Sequence, residues 1–314
     1  MIANAYAYRT ILSDRCIILG DGVVIEARKD DPDSYLVMTG DGKRKDGYLA
    51  VIITLSDGFP LIGDLVNIRG RNDFKTVNEE SNRRLRKYEL LANFMVSDKR
   101  AGKNIVKVSR DRIRKETEMS LFTKLAELLI NNGVLRHGDI FSGDSVYGHK
   151  TVRELLAKHG ITCASPINEG NQPEPIKFIY RLRDAAITLL AGVSEKDFLE
   201  PSDRVIIAEA LMAILSHALR ELETPIGSIP MRYVDALIGV SLDLIDALLM
   251  GRARCMRSSI AEGLNGILKT PFNLVNAGKK CLSKGYHNVR RLLHRQLIAL
   301  QIIMLGDKIR LSMN

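Results

Sequence analysis

The sequence predicts an α+β protein, with a small N-terminal β-barrel- or sandwich-like domain followed by a mainly α-helical C-terminal domain. Three observations predict this. Five short β-prone runs crowd into the first 74 residues, separated by glycine- and aspartate-rich turn signals. A polar, strongly basic stretch poor in large aliphatics follows. Beyond it, apolar residues recur at helical rather than alternating spacing. The implied organisation is a β-rich domain at 1–74, a basic connector at 75–117, a small helical segment at 118–176 and a helical domain at 177–314.

The strand candidates are Cys16–Leu19, Val23–Ala27, Tyr35–Met38, Tyr48–Leu55 and Leu65–Ile68. Gly20-Asp21-Gly22, Asp31-Pro32-Asp33, Gly40-Asp41-Gly42, Asp57-Gly58 and Gly63-Asp64 stand between or beside them as turn signals. Tyr48–Leu55 is apolar on both faces, as suits a central strand. Five strands in so short a span suit a barrel of the OB or SH3-like size. In the connector, Asn82–Leu91 can form a basic helix and Asp98–Asn104 an exposed turn. Leu121, Leu125, Leu128 and Leu129 then make a helical stripe, with Ser120 as candidate cap and Gly133 as stop. Thr151-Val152-Arg153-Glu154 fits a capping box heading a short helix that ends at Gly160. Pro166, Pro173 and Pro175 make 168–175 a loop or hairpin. Helical stretches follow at 177–191, 202–223, 231–250, 252–269 and 286–305, with Pro201, Pro225, Pro230 and Pro271 at boundaries.

The 314 residues suit two or three domains of about 100–200 residues each. At 46% apolar and 26% charged the chain can build a core, which excludes a wholly disordered protein. No apolar run approaches the roughly 18–20 residues needed to cross a bilayer, and Met1–Tyr6 lacks a basic secretory n-region. Cys16, Cys163, Cys255 and Cys281 lie far apart and form no CxxC pair. The expectation is a protein with no stable membrane insertion, in a reducing cytoplasm (the host's, if the protein is viral).

The placement of charge is the most informative feature. Residues 1–68 carry 7 basic and 10 acidic side chains; 69–115 carry 15 and 6; 194–246 carry 4 and 10; and 252–295 carry 10 basic residues and one acid, Glu262. Two cationic blocks alternate with two mildly anionic ones. One reading is a polyanion partner, because each phosphate neutralised by Lys or Arg releases condensed counterions. The other is that basic blocks dock against acidic ones within a chain or between subunits.

Asn132–Phe141 followed by Tyr147–Ile161 gives a helix, a short turn segment, a capped helix and a proline-rich loop, the layout of a winged helix. Gly133-Val134-Leu135-Arg136-His137-Gly138-Asp139 ahead of Thr151-Val152-Arg153-Glu154 resembles the winged-helix reading head of GntR-type repressors. The resemblance covers about thirty residues and implies that His149, Lys150, Thr151, Arg153 and Lys158 line a DNA-facing surface. It departs from that family where the middle helix is missing between Phe141 and Tyr147, and the segment is internal rather than at the chain's start. Gly133–Ile140 is also similar to a strand pair in the β-barrel of translational GTPases, although no GTP-binding loop accompanies it.

On the barrel, Arg69 and Arg71 on an outward strand face, with Tyr35, Tyr48 or Phe59 nearby, would give phosphate contacts and stacking platforms for a single strand. Asp235, Asp243 and Asp246 share one helical face, expected to meet a basic partner, above all the 252–295 block in a contact between subunits. Arg290, Arg291, His294 and Arg295 precede an apolar tail that can dock on its own domain, on a neighbour or at a membrane interface. The chain has no GxxxxGK[ST] loop, HExxH, GxSxG or paired CxxC.

The expectation is therefore a non-catalytic nucleic-acid-binding protein with no cofactor or metal, forming a homo-oligomer. Its main phosphate contacts would be Arg69, Arg71, Arg83, Arg84, Arg86, Lys87, Lys99, Arg100 and Lys103. Secondary contacts would come from His149, Lys150, Arg153, Arg252, Arg254 and Arg257. The alternative is a structural subunit of a large assembly, such as a phage or viral particle, whose segregated charges mediate self-association.

Overall fold

A computed structural model describes residues 1–12, 15–28, 31, 33–38, 44–67, 116–170, 172–191, 213, 216, 235–240, 243, 246–269, 281 and 283–312. The chain opens with a helix the strand pattern does not foresee, α1 (Ile2–Ile11). Three alanines favour it, and Ala5, Tyr8 and Arg9 bury one face at helical spacing. Then come β1 (Ile17–Glu26), β2 (Tyr35–Met38), β3 (Arg44–Leu55) and β4 (Pro60–Leu65). After the residues between β4 and the next helix follow α2 (Glu118–Asn131), β5 (Ile140–Ser142), α3 (Lys150–Lys158), β6 (Thr162–Cys163) and α4 (Glu174–Ala191). The last described elements are α5 (Ala247–Met256), a π-helical turn (Arg257–Ala261), α6 (Glu262–Lys269) and α7 (Tyr286–Ser312).

The α and β content is mixed, as expected, but the sheet is open rather than a closed barrel. Its six strands run β2-β3-β1-β5-β6, with β4 also on β3. β1 is the pivot: it pairs antiparallel with β3 and parallel with β5. β5 and β6 are parallel, with α3 between them in sequence. The 140–163 stretch is therefore a β-α-β unit within the main sheet, not a free-standing winged helix, and the first 74 residues do not hold a sheet of their own.

Two turn signals prove to be strand interior. Gly20-Asp21-Gly22 lies within β1, where a Cβ on Gly20 would stand 2.6 Å from the Phe141 ring and one on Gly22 2.2 Å from the Glu118 carboxylate. Gly63 lies within β4, and a Cβ there would stand 2.8 Å from Leu297 Cδ1. These glycines admit side chains from packed elements rather than turning the chain. Asp57-Gly58 does turn it, with Gly58 at φ +87°.

Both faces of the sheet are covered, so β3 is central as its two apolar faces predict. On one side Val51, Ile53 and Leu55 pack with Ala5 and Tyr8 of α1, Leu121, Phe122 and Leu125 of α2, and Val152 and Leu156 of α3. On the other, Tyr48, Ala50 and Ile52 meet Leu264 and Leu268 of α6 and Val289, Leu293, Leu297 and Leu300 of α7. Ile140 and Ala164 meet Ile179, Ala186 and Ile187 of α4 and Met250 and Ala253 of α5. The result is three layers, helix–sheet–helix.

Helix ends differ from expectation in detail. α2 is capped by Thr117, with Ser120 as the reciprocal partner of a capping box rather than the cap. α3 starts before Thr151, capped by His149, whose ring accepts the Thr151 N–H at 3.3 Å. The stops at Gly133 and Gly160 hold, both at φ +67°. Helical backbone continues from 247 to 269 through the π turn, so no break occurs at 251.

Candidate functional site

Asn67, just after β4, donates its backbone N–H to Glu116 Oε2 at 2.6 Å. Glu116 also accepts from Lys124 of α2 at 2.7 Å. The two ends of the basic run thus meet at one place on the fold. Whatever path 68–115 takes, it leaves and re-enters beside the α2 N-terminus. Arg69, Arg71, Arg83, Arg84, Arg86, Lys87, Lys99, Arg100 and Lys103 all lie in that run, outside the described residues. The run carries 15 basic and 6 acidic residues of the chain's 46 and 37, leaving 31 of each elsewhere. The run's net charge of +9 thus equals that of the whole chain, while the cationic 252–295 block is offset by the acidic excess of 1–68 and 194–246.

The other expected contacts are largely engaged inside the chain. Arg254 donates to the Ala164 carbonyl at 2.5 Å and pairs with Asp184 at 2.5 Å. Arg257 pairs with Asp21 at 3.3 Å. Arg153 lies 3.9 Å from Asp243 and over the Tyr180 ring. Arg290, and His294 at 3.2 Å, face Asp64. His149 is used as a cap. Lys150 stays exposed, 3.6 Å from Glu154. Arg252 has an interaction of its own. Arg153, Arg254, Arg257 and Arg290 thus spend their charge on the fold, because a buried or half-buried cation needs a counterion there.

The stacking platform is absent where it was expected. Tyr35, Tyr48 and Phe59 are all buried. Tyr48 donates to Asp31 at 2.8 Å, Tyr35 to the Val66 carbonyl at 3.3 Å, and Phe59 stacks on Tyr8 with centroids 3.8 Å apart. Two carboxylates of the acidic helix face have partners within the chain among the described residues. Asp243 accepts from Arg183 at 2.6 Å, and Asp246 pairs with Arg15 at 3.0 Å.

Beside the root of the basic run lies a polar group that sequence reasoning missed. Glu118, one residue into α2 past its cap, accepts from Tyr147 at 2.8 Å above Gly22. Burial pushes its carboxyl above the usual range, against the pull of that hydrogen bond, and Asp144 and Asp21 add to the rise. On the neighbouring residue of β1, Asp21 accepts from Asn265 at 2.7 Å. Burial likewise raises Asp21, more than Arg257 lowers it. These carboxyls hold protons more readily than exposed ones. Among the described residues, no group of three His, Cys, Asp or Glu side chains is placed to hold a metal ion. The only sequence signal was the alternation of glycines around Asp21, which also reads as a turn.

The Gly-Asp of the repressor-like motif is a structural lock. Asp139 is fully buried and accepts from Arg9 Nη2 at 2.9 and 3.0 Å, from Cys16 N–H at 2.8 Å and from Arg136 N–H at 2.9 Å. Gly138, at φ +86°, donates to the Gly160 carbonyl at 2.8 Å. Among the described residues no helix is long and apolar enough to cross a membrane. No family model, curated protein or solved structure matches the chain.

Proposed function

We propose that the chain is a non-catalytic nucleic-acid-binding protein that grips phosphates through the basic run between β4 and α2. The observation that carries this reading is a net charge of +9 within the 47 residues 69–115, whose flanking residues Asn67 and Glu116 are hydrogen-bonded to each other. Self-repelling cations gathered in one run gain nothing for folding, whereas a polyanion returns counterion-release free energy for each one it neutralises. The internal pairing of Arg254, Arg257 and Arg290 supports placing the grip in the run rather than in the C-terminal block.

The test is fluorescence anisotropy of a labelled oligonucleotide against salt. Binding should fall along a straight log–log line, each neutralised phosphate contributing a slope of about 0.7–0.9. Replacing Arg83, Arg84 and Arg86 by Ala should weaken all sequences alike and reduce the slope by about 2–3. Absence of binding at low salt, or an unchanged slope in the triple variant, would remove the basis of the proposal.

A further inference from the structure

The arginines in the N-terminal half of α7 divide into two sets. Arg290 lies at the edge of the helix and, with His294, faces Asp64 of β4. Arg291 and Arg295 stand one turn apart on the exposed side. Among the described residues these two have no partner, whereas every other arginine whose side chain is described has at least one within the chain. Between Glu262 and Asp307 the chain carries seven Lys and Arg residues and no acid, so the helix offers neither arginine a carboxylate three or four residues away. Carboxylates on the elements beside this half of α7 are engaged elsewhere: Asp64 with Arg290 and His294, Glu116 with Lys124, and Asp33 with the Tyr286 N–H. The position of the pair matters as much as its charge. Tyr286 donates to the Leu65 carbonyl at 3.0 Å and Arg290 reaches Asp64, so this half of α7 lies along the end of β4. Asn67, held by Glu116, is two residues beyond Leu65. The chain thus enters its basic run beside the helix that carries Arg291 and Arg295.

We propose that Arg291 and Arg295 form a second phosphate contact, across which the backbone of a nucleic acid gripped by the basic run continues over α7. The proposal rests on the nucleic-acid reading above and adds a fixed location to it. The two residues are separated by about 6 Å along the helix axis. Each guanidinium can donate two parallel hydrogen bonds to a phosphate, and it is more weakly hydrated than an ammonium, so it exchanges water for phosphate at lower cost. Val289, Leu293 and Leu297, all fully buried, hold the helix to the sheet, so no backbone has to be ordered when a strand arrives. Contacts of this kind carry no sequence information; they fix where the strand lies and in which direction it leaves. The shared preference of the two cationic sets for phosphate, and their common edge of the fold, select a polyanion over a protein surface.

The test is the salt dependence of anisotropy for a labelled oligonucleotide, with nuclease-treated full-length protein. Arg291→Ala combined with Arg295→Ala should lower the log–log slope by about 1.4–1.8, two contacts at about 0.7–0.9 each. Its thermal midpoint should not move, because both side chains are exposed and unpaired. Arg291→Lys with Arg295→Lys keeps the charge and should keep the wild-type slope. Lys308→Ala with Arg310→Ala removes the same charge from the far end of the same helix and should leave the slope unchanged. An unaltered slope in the Arg291–Arg295 alanine variant, beside a reduced one in the Arg83–Arg84–Arg86 variant, overturns this contact and leaves the nucleic-acid reading standing. Absence of wild-type binding at low salt overturns both. An equal drop in the Lys308–Arg310 variant shows a general effect of net charge and overturns the contact, as does a lysine variant that behaves like the alanine one. Wild-type co-flotation with phosphatidylglycerol vesicles that the alanine variant loses, with its oligonucleotide slope intact, would assign the pair to a bilayer surface and likewise overturn it.

Discussion

Arg9 and Asp139 are both without solvent exposure, and their bidentate contact joins α1 to the loop before β5. The two partners differ in one decisive respect. A stranded carboxyl can take up a proton, whereas a guanidinium stays charged at any accessible pH. Burial already pushes Asp139 above the usual carboxylate range, more than the Arg136 N–H and Arg9 hold it down. Asp139→Asn should therefore be the costlier change. It leaves a buried cation uncompensated, and one of the Cys16 and Arg136 N–H groups loses its acceptor, a loss of about 3–5 kcal/mol.

Arg9→Met keeps most of the buried volume and lets Asp139 neutralise itself. Its folded-state affinity for a proton then rises further above the unfolded value of about 3.9. The associated stability is fully present below that value and is lost as pH climbs toward the raised folded one, by at most about 1.4 kcal/mol per pH unit. Urea unfolding of both variants and the wild type at pH 4, 5.5 and 7 tests this. The Arg9→Met deficit should shrink at pH 4, and the Asp139→Asn deficit should persist. A pH-independent Arg9→Met deficit, or an Asp139→Asn cost under about 1 kcal/mol, would refute the reasoning.

Other sites give sharper single outcomes. A Cβ on Gly148 would stand 1.6 Å from the Pro166 carbonyl oxygen, so Gly148→Ala must displace backbone; a loss above about 3 kcal/mol is expected in chemical denaturation, and a neutral effect would contradict the packing. Burial works to raise Asp64, but donors from His294, Arg290 and Leu65 outweigh it and hold the carboxyl to about 2. Its stabilising share, on the order of 1–2 kcal/mol after allowing for solvent screening, is present above about pH 4 and should vanish as pH falls toward 2. Asp64→Asn should therefore narrow its stability gap to wild type over that window in acid titrations followed by circular dichroism. Because Glu118 is raised, its ionisation works against folding at neutral pH. Glu118→Gln should be at least as stable as wild type at pH 7 and lose that advantage near pH 4, as read from paired thermal melts. Leu297→Ala empties a fully buried site over Gly63 and should cost about 2–5 kcal/mol.

The sequence made the apolar elements legible and the polar architecture much less so. β3 reads correctly as central because both its faces are apolar, and α2 reads correctly because its leucines repeat at helical spacing. Pairing between β1 and β5, more than a hundred residues apart, leaves no local trace. A barrel was the natural closure for strands judged only by their neighbours. Glycines misled because periodicity cannot separate a turn from a strand position that admits Phe141, Glu118 or Leu297 from above. α1 went unseen because one turn and a half of buried contact is too short to register as a pattern. Cation density marks the basic blocks but not which way their side chains face. Density cannot distinguish Arg254, reaching back to Ala164 and Asp184, from a residue facing outward.

The tether between Asn67 and Glu116 has a consequence for how such a chain can change over generations. Where the two residues that bound a segment already touch, lengthening the chain between them costs only the logarithm of its length, roughly 0.6 kcal/mol for each doubling if it is flexible. Residues can therefore be gained, lost or exchanged between these two anchors while the layered body keeps its stability. Changes of length or composition between the anchors would leave the packed layers undisturbed.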